Sequence, residues 1–237
     1  GELRKRVIGN LDEISRESES LLPRVRTDYR LYADEGDPFI RYLTLDLYGR
    51  PAPELYSRVS VGYLERMYAG VSGEVLWKPA DSRLAFGAEL NYAKQRDYDQ
   101  QFGLRDYDTV TGHVSAYYEG EGGFLYQVDA GRYLAEDWGT TLSVDREFNN
   151  GVRLGAFATF TDVSFDDFGE GSFDKGIRVT VPLSLISGRP SKEAISRTIR
   201  PVLRDGGARL AVDGRLYEGI RDYHQESLEN SWGRFWR

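Results

Sequence analysis

Val110-Thr111-Gly112-His113-Val114-Ser115-Ala116-Tyr117-Tyr118 decides how this chain folds, because its side chains sort into two sets at alternate positions. Val110, Val114 and Ala116 form one set, and Thr111, His113 and Ser115 the other. Successive side chains of a β-strand point to opposite faces, so such a segment has one apolar and one polar side. Val152-Arg153-Leu154-Gly155-Ala156-Phe157-Ala158-Thr159-Phe160 repeats the pattern. Working outward, segments of this kind span Val25–Tyr32, Phe39–Tyr48, Leu55–Leu64, Tyr68–Trp77 and Leu84–Ala93. They continue over Thr109–Tyr118, Phe124–Tyr133, Trp138–Phe148, Val152–Val163 and Gly176–Leu185. Pro79-Ala80-Asp81-Ser82, Glu121-Gly122-Gly123 and Asn149-Asn150-Gly151 separate them as tight turns. Lys94–Asp108 and Ser164–Asp174 are longer, acidic connections.

Two-faced strands joined in succession predict an all-β, antiparallel up-and-down sheet, which closes to remove its edges. The expected fold is a transmembrane β-barrel, or the C-terminal part of a larger one, with short helical segments at the termini. Residues 1–23 are expected as an amphipathic helix or linker, since Leu3, Val7, Leu11 and Ile14 recur at helical spacing before Pro23. Residues 24–186 hold the barrel strands. Residues 187–237 form a loop, a short strand and a helical tail marked by Leu216, Ile220, Tyr223 and Leu228.

Composition narrows the function. With 40% hydrophobic residues, a mean hydropathy of −0.53 and no run of eighteen apolar residues, a transmembrane helix is excluded. A barrel needs only every second strand residue to be apolar, so it survives that test. Of the 16 Tyr and 4 Trp, many stand near strand ends, among them Tyr63, Trp77, Tyr118 and Trp138, as interfacial girdles require. No cysteine is present, which removes disulfides and thiol chemistry. A net charge of −7 argues against a nucleic-acid partner. The chain does not begin with Met, and it reads as an excised portion of something longer.

Which face points inward decides the rest. In a membrane barrel, Arg58, Glu74, Glu89, His113, Asp129, Asp145, Arg153 and Arg178 line a polar lumen and contact glycan. Leu84, Phe86, Leu90, Val152, Leu154, Phe160, Val179 and Val181 then meet lipid. In a soluble periplasmic ligand-binding barrel the two sets exchange places. A third reading takes His113 and Ser115, two apart on one strand face, as the base and nucleophile of an outer-membrane lipid hydrolase. Their face is shared with Thr111, opposite the apolar set, which points such a pair away from lipid. No catalytic residue is therefore assigned. Asp166–Asp174 is read as an acidic loop, since its spacing departs from a calcium-binding loop. His113 and His224 are isolated, and no metal or cofactor is expected.

Residues Ala130-Gly131-Arg132-Tyr133-Leu134-Ala135-Glu136-Asp137-Trp138-Gly139, then Asp145-Arg146-Glu147-Phe148-Asn149-Asn150-Gly151, carry a resemblance. Gly155–Val163, Phe168–Gly176, Ser187–Ser191 and Arg204-Asp205-Gly206-Gly207-Ala208-Arg209-Leu210 extend it. Together they resemble the YjbH family of bacterial exopolysaccharide-biosynthesis proteins, related to the capsule-associated GfcD group, with this chain as the C-terminal portion. The resemblance implies a non-catalytic β-barrel of the bacterial outer membrane that assists polysaccharide export. The partners it implies are outer-membrane lipid, the exopolysaccharide, other export proteins of the envelope and the N-terminal part of the same protein.

Overall fold

The computed structural model describes residues 1–5, 21–35, 38–164, 174–189, 191, 193–200 and 205–223. One antiparallel sheet of 11 strands dominates it, each strand hydrogen-bonded to the next in chain order. The strands are β1 (Glu2–Arg4), β2 (Phe39–Ala52), β3 (Leu55–Tyr63), β4 (Tyr68–Trp77), β5 (Leu84–Arg96) and β6 (Leu104–Glu119). After them come β7 (Phe124–Arg132), β8 (Trp138–Glu147), β9 (Arg153–Thr161), β10 (Asp174–Pro182) and β11 (Ala194–Ile199). Three short α-helices, α1 (Tyr29–Glu35), α2 (Leu183–Ser187) and α3 (Leu216–Ile220), and 3-10 turns at Glu121–Gly123 and Arg221–Tyr223 complete the described elements.

The alternation read from the sequence is the register seen in the sheet. Leu90, Gly112 and Arg132 stand side by side on one face, and Glu89, His113 and Gly131 on the other. The apolar face is the outer one. Leu45 is 75% exposed, Leu90 66% and Leu154 46%, whereas Arg58 is 0% and Glu89 5% exposed. An interior that is polar under an apolar outer face inverts the arrangement of a water-soluble barrel.

The sheet is curved about its polar face. Tyr48 on β2 donates from its hydroxyl to the Gly214 carbonyl at 3.2 Å. A Cβ built on Gly207 would stand 2.7 Å from Thr159 Cγ2 on β9. In a flat sheet, seven spacings of about 4.8 Å would hold β2 and β9 about 34 Å apart. The eight residues from Gly207 to Gly214 reach both, so the sheet wraps around them. Its outer strands, β1 and β11, are not paired with each other among the described residues.

Three expected elements differ. Val25–Tyr32 is not a strand: the Asp205 carboxylate accepts from the amides of Arg26 (2.7 Å) and Thr27 (3.0 Å), and α1 follows. Those amides are taken by a distant side chain and have no ladder to join. Residues 2–4, expected within a helix or linker, form β1 against Phe39–Tyr42. β10 stops at Pro182, which lacks the amide to continue pairing, and Leu183–Ser187 turns into α2.

Close strand approach rests on glycine at one position in particular. Gly70 on β4 has φ +149°, and a Cβ there would lie 1.9 Å from the Tyr92 carbonyl oxygen on β5. Gly70→Ala is expected to destabilise the sheet by on the order of 2 kcal/mol, read as a lowered thermal midpoint by far-ultraviolet circular dichroism. Ala158→Gly, on an outward position of β9, should move the midpoint by less.

Candidate functional site

The concave face carries a run of buried polar side chains on neighbouring strands. Arg58 (β3), Glu74 (β4), Glu89 (β5), His113 and Ser115 (β6) and Asp129 (β7) are all less than a tenth exposed. Burial of charge requires partners within hydrogen-bond reach. Arg58 donates Nε to Glu74 Oε2 at 3.0 Å and reaches Ser60 Oγ at 2.8 Å and Ser72 Oγ at 3.2 Å. Asn91 donates to Glu89 at 3.0 Å and Gln127 to Asp129 at 2.8 Å. Further partners, two guanidiniums among them, come from the segment Asp205–Tyr223, which threads along the concave face from one end of the sheet to the other.

At one end, Gly207 donates its amide to Asp137 Oδ2 at 2.7 Å, and Leu134 donates to the Ala208 carbonyl at 2.9 Å. Burial lifts the carboxyls of Asp137 and Asp205 above the usual carboxylate range, against the amide donors that each accepts from. Midway, Arg209 pairs with Asp129 at 3.0 Å and approaches Glu89 at 3.6 Å. Arg215 grips Glu89 with two nitrogens, Nε at 2.7 Å and Nη2 at 3.0 Å, in a bidentate fork. The Leu216 amide donates to both Glu74 oxygens, at 3.1 and 3.2 Å. At the other end, Tyr217 stacks on Tyr117 with ring centroids 3.9 Å apart and donates its hydroxyl to Glu119 at 2.9 Å.

Apolar packing closes both ends of this charged middle. Ala208, Leu210 and Val212 join Tyr32, Leu64 and Tyr68 in one buried cluster, beneath Val25 and α1. Leu216 and Tyr217 join Leu76, Ala85, Tyr117 and Leu125 in a second.

The residues singled out from the sequence divide accordingly. Arg58, Glu74 and Glu89 form one network, joined to Asp129 through Arg209. Asp145 and Arg178 pair separately at 2.7 Å, and Arg153 binds Glu147 at 2.8 Å and approaches Glu218 at 3.6 Å. His113 and Ser115 share the buried face but not a bond. Ser115 donates to Asp129, while His113 makes no hydrogen bond and meets the Tyr133 ring edge-on, centroids 4.7 Å apart. A nucleophile whose base lies elsewhere is not activated, so this geometry offers the hydrolase reading no pair. Leu84, Phe86, Leu90, Leu154 and Phe160 stand exposed on the convex face, with Val152, Val179 and Val181 partly exposed. Among the described residues no cluster of three or more His, Asp or Glu is placed to hold a metal. Residues 165–173 of the acidic loop, and His224, lie outside the described residues.

Arg209 and Arg215 were not legible as interior groups because they lie in the C-terminal region, read as a loop, a short strand and a helical tail rather than as part of the two-faced strands. The available signal was arithmetic: Glu74, Glu89 and Asp129 exceed Arg58 on the central strands, so two more cations had to come from outside them.

The YjbH family model, described as an exopolysaccharide biosynthesis protein, matches residues 1–222. The chain is 39% identical over 209 residues to a protein of Escherichia coli (strain K12) named "Uncharacterized lipoprotein YjbH", covering 86% of this chain and 30% of that relative. The chain thus spans less than a third of the length of the curated relative it matches. No solved structure matches.

Removing one member of the central network should cost more than removing a peripheral one. Glu89→Ala, which strands Arg215 and leaves Arg209 with Asp129 alone, is expected to destabilise by on the order of 3 kcal/mol. Arg178→Ala breaks a pair that is a third exposed and should cost about 0–1 kcal/mol. Denaturant midpoints of the two variants decide this, and a Glu89→Gln/Arg215→Met double-mutant cycle should return a coupling of about 1–3 kcal/mol.

Proposed function

The chain belongs to the YjbH family of exopolysaccharide biosynthesis proteins, and from that membership we propose that it is a membrane-spanning β-domain of the bacterial outer membrane that assists polysaccharide export. The domain makes and breaks no bond. It anchors the protein in the membrane and offers polar groups, at its interior or its rims, to the hydroxyls of the glycan. The name of the E. coli relative, a lipoprotein, fits a place in the cell envelope.

One observation carries this reading: the exposed face of the sheet is an apolar band bounded by aromatic residues. At one rim stand Trp77 stacked on Phe86, and Tyr118 on Tyr126. At the other stand Tyr63, Tyr92 and Trp138. Between them lie Val59, Val61, Val75, Leu90, Val114, Val128, Leu142 and Val144, all exposed. From Phe86 to Tyr92 is six residues, about 20 Å along the strand. The outward charges of β5, β7 and β8 stand toward the rims, Lys94 beyond Tyr92, Arg132 level with Trp138 and Arg146 beside Phe124. Water would leave this band unsatisfied over far more area than a soluble monomer tolerates. A soluble barrel would need Leu84, Phe86 and Leu90 inside, and they are exposed.

On β10 and β11, Lys175 and Arg197 stand among outward apolar positions. Charge beside a free edge discourages unwanted strand pairing. Strands from the rest of the longer protein, or β1 against β11, would close the sheet in the membrane.

Adjacent residues on β9 separate the two faces. Leu154→Arg puts a cation on the outer face at a cost of about 2–4 kcal/mol at the bilayer midplane, less toward the interface. It is expected to impair membrane assembly, seen as loss of the heat-modifiable band on gel electrophoresis. Arg153→Leu gives up a partly exposed pair and should assemble as wild type, changing at most the polysaccharide output. The reverse pattern would mean that the faces are exchanged.

A further inference from the structure

Midway along β3 to β7 the concave face holds three buried carboxylates, Glu74, Glu89 and Asp129, against one buried guanidinium, Arg58. Two more guanidiniums, Arg209 and Arg215, bring the charges to balance, and both belong to Asp205–Tyr223. We propose that Asp205–Tyr223 is a resident plug that closes the interior of the sheet, so that polysaccharide passes or docks outside this domain rather than through it. The proposal rests on the membrane reading only for its consequence. The closure itself follows from contacts within the chain.

Three features make the segment an occupant rather than a loop lying across an open mouth. It runs the full height of the sheet, from Gly207 on Asp137 at one end to Tyr217 on Glu119 at the other. Its own side chains alternate between apolar contacts at the two ends and charge pairs midway, matching the wall level by level. Its backbone also serves the wall, since the Leu216 amide satisfies Glu74. Withdrawal would leave Glu74 and Glu89 to share Arg58 alone and Asp129 with no cation among the described residues. Such an interior is costly to open unless something positively charged replaces the segment. An anionic polysaccharide does not meet that condition, because its carboxylates would face Glu89 and Asp129.

Trypsin cleaves after arginine, so the bonds following Arg209 and Arg215 report directly on whether the plug is seated. In the intact protein, mass spectrometry is expected to find these two bonds cut at least roughly a hundredfold more slowly than in the unfolded chain. Glu89→Gln/Asp129→Asn, which unlatches both arginines, should restore a large part of the lost rate. Cleavage of the wild-type bonds at close to the unfolded rate overturns the proposal, and it does so even if the double variant fails to fold. A second arm reads ion conductance in planar bilayers. The intact protein should be silent and a variant lacking 205–223 should conduct. Equal conductance of the two overturns the proposal. Flotation with liposomes, scored separately, tests the membrane reading: protected bonds without flotation defeat that reading and leave the plug standing.

Discussion

A carboxylate placed beneath a curved sheet has to find its cations inside, and Glu89 finds Arg215 at 126 residues' remove in sequence. That pairing, with Arg209 on Asp129 and Arg58 on Glu74, lets the concave face remain polar though it is dry. The rest of the architecture follows. Because charge is satisfied within, the apolar half of every strand turns outward. Because the counter-ions come from one C-terminal segment, that segment is drawn through the interior and holds β2 to β9 in a curve around it. Buried pairs of this kind stabilise little relative to an apolar core, but they penalise every arrangement that leaves one partner alone. They act here as specifiers of sidedness and register.

The apolar contribution is arranged in the same spirit. Among the described residues two compact clusters are buried, one at each end of the plug, and most large aliphatic side chains of the sheet are left exposed. A fold that keeps Leu45, Leu90 and Leu154 exposed cannot draw its stability in water from them. Placed in lipid, the same residues are in their preferred medium, and the strands that carry Leu90 and Leu154 are paired on both sides. The family's tie to exopolysaccharide biosynthesis then becomes a matter of where a glycan meets such a domain, and the filled interior directs attention to the rims.

Much of the sheet was legible in the sequence because strand periodicity is local. Tyr68–Trp77 and Phe124–Arg132 alternate cleanly, and their turns carry Gly, Asp or Pro where the backbone needs them. What stayed hidden was non-local. Val25–Tyr32 alternates like a strand, yet Asp205 captures its amides, and no feature near Val25 announces that. His113 and Ser115 are two apart on one face, but the register sets Asp129 beside Ser115 and leaves His113 facing a tyrosine ring. The plug was invisible for the same reason: a short alternating stretch such as Ala208–Val212 has no sequence mark to distinguish an edge strand from a strap packed against side chains.

The most direct test of the account is the depth of two tryptophans. Trp77 and Trp138 stand exposed on the outer face at opposite rims of the apolar band. In the protein reconstituted in lipid vesicles, with the remaining two of its 4 Trp replaced by Phe, each can be read alone. Spin-labelled lipids carrying the quencher near the headgroup, or deep in the acyl chain, then report position. Both tryptophans are expected to be quenched, and more strongly by the shallow label than by the deep one. Fluorescence untouched by either label would place the apolar band away from lipid and contradict the account.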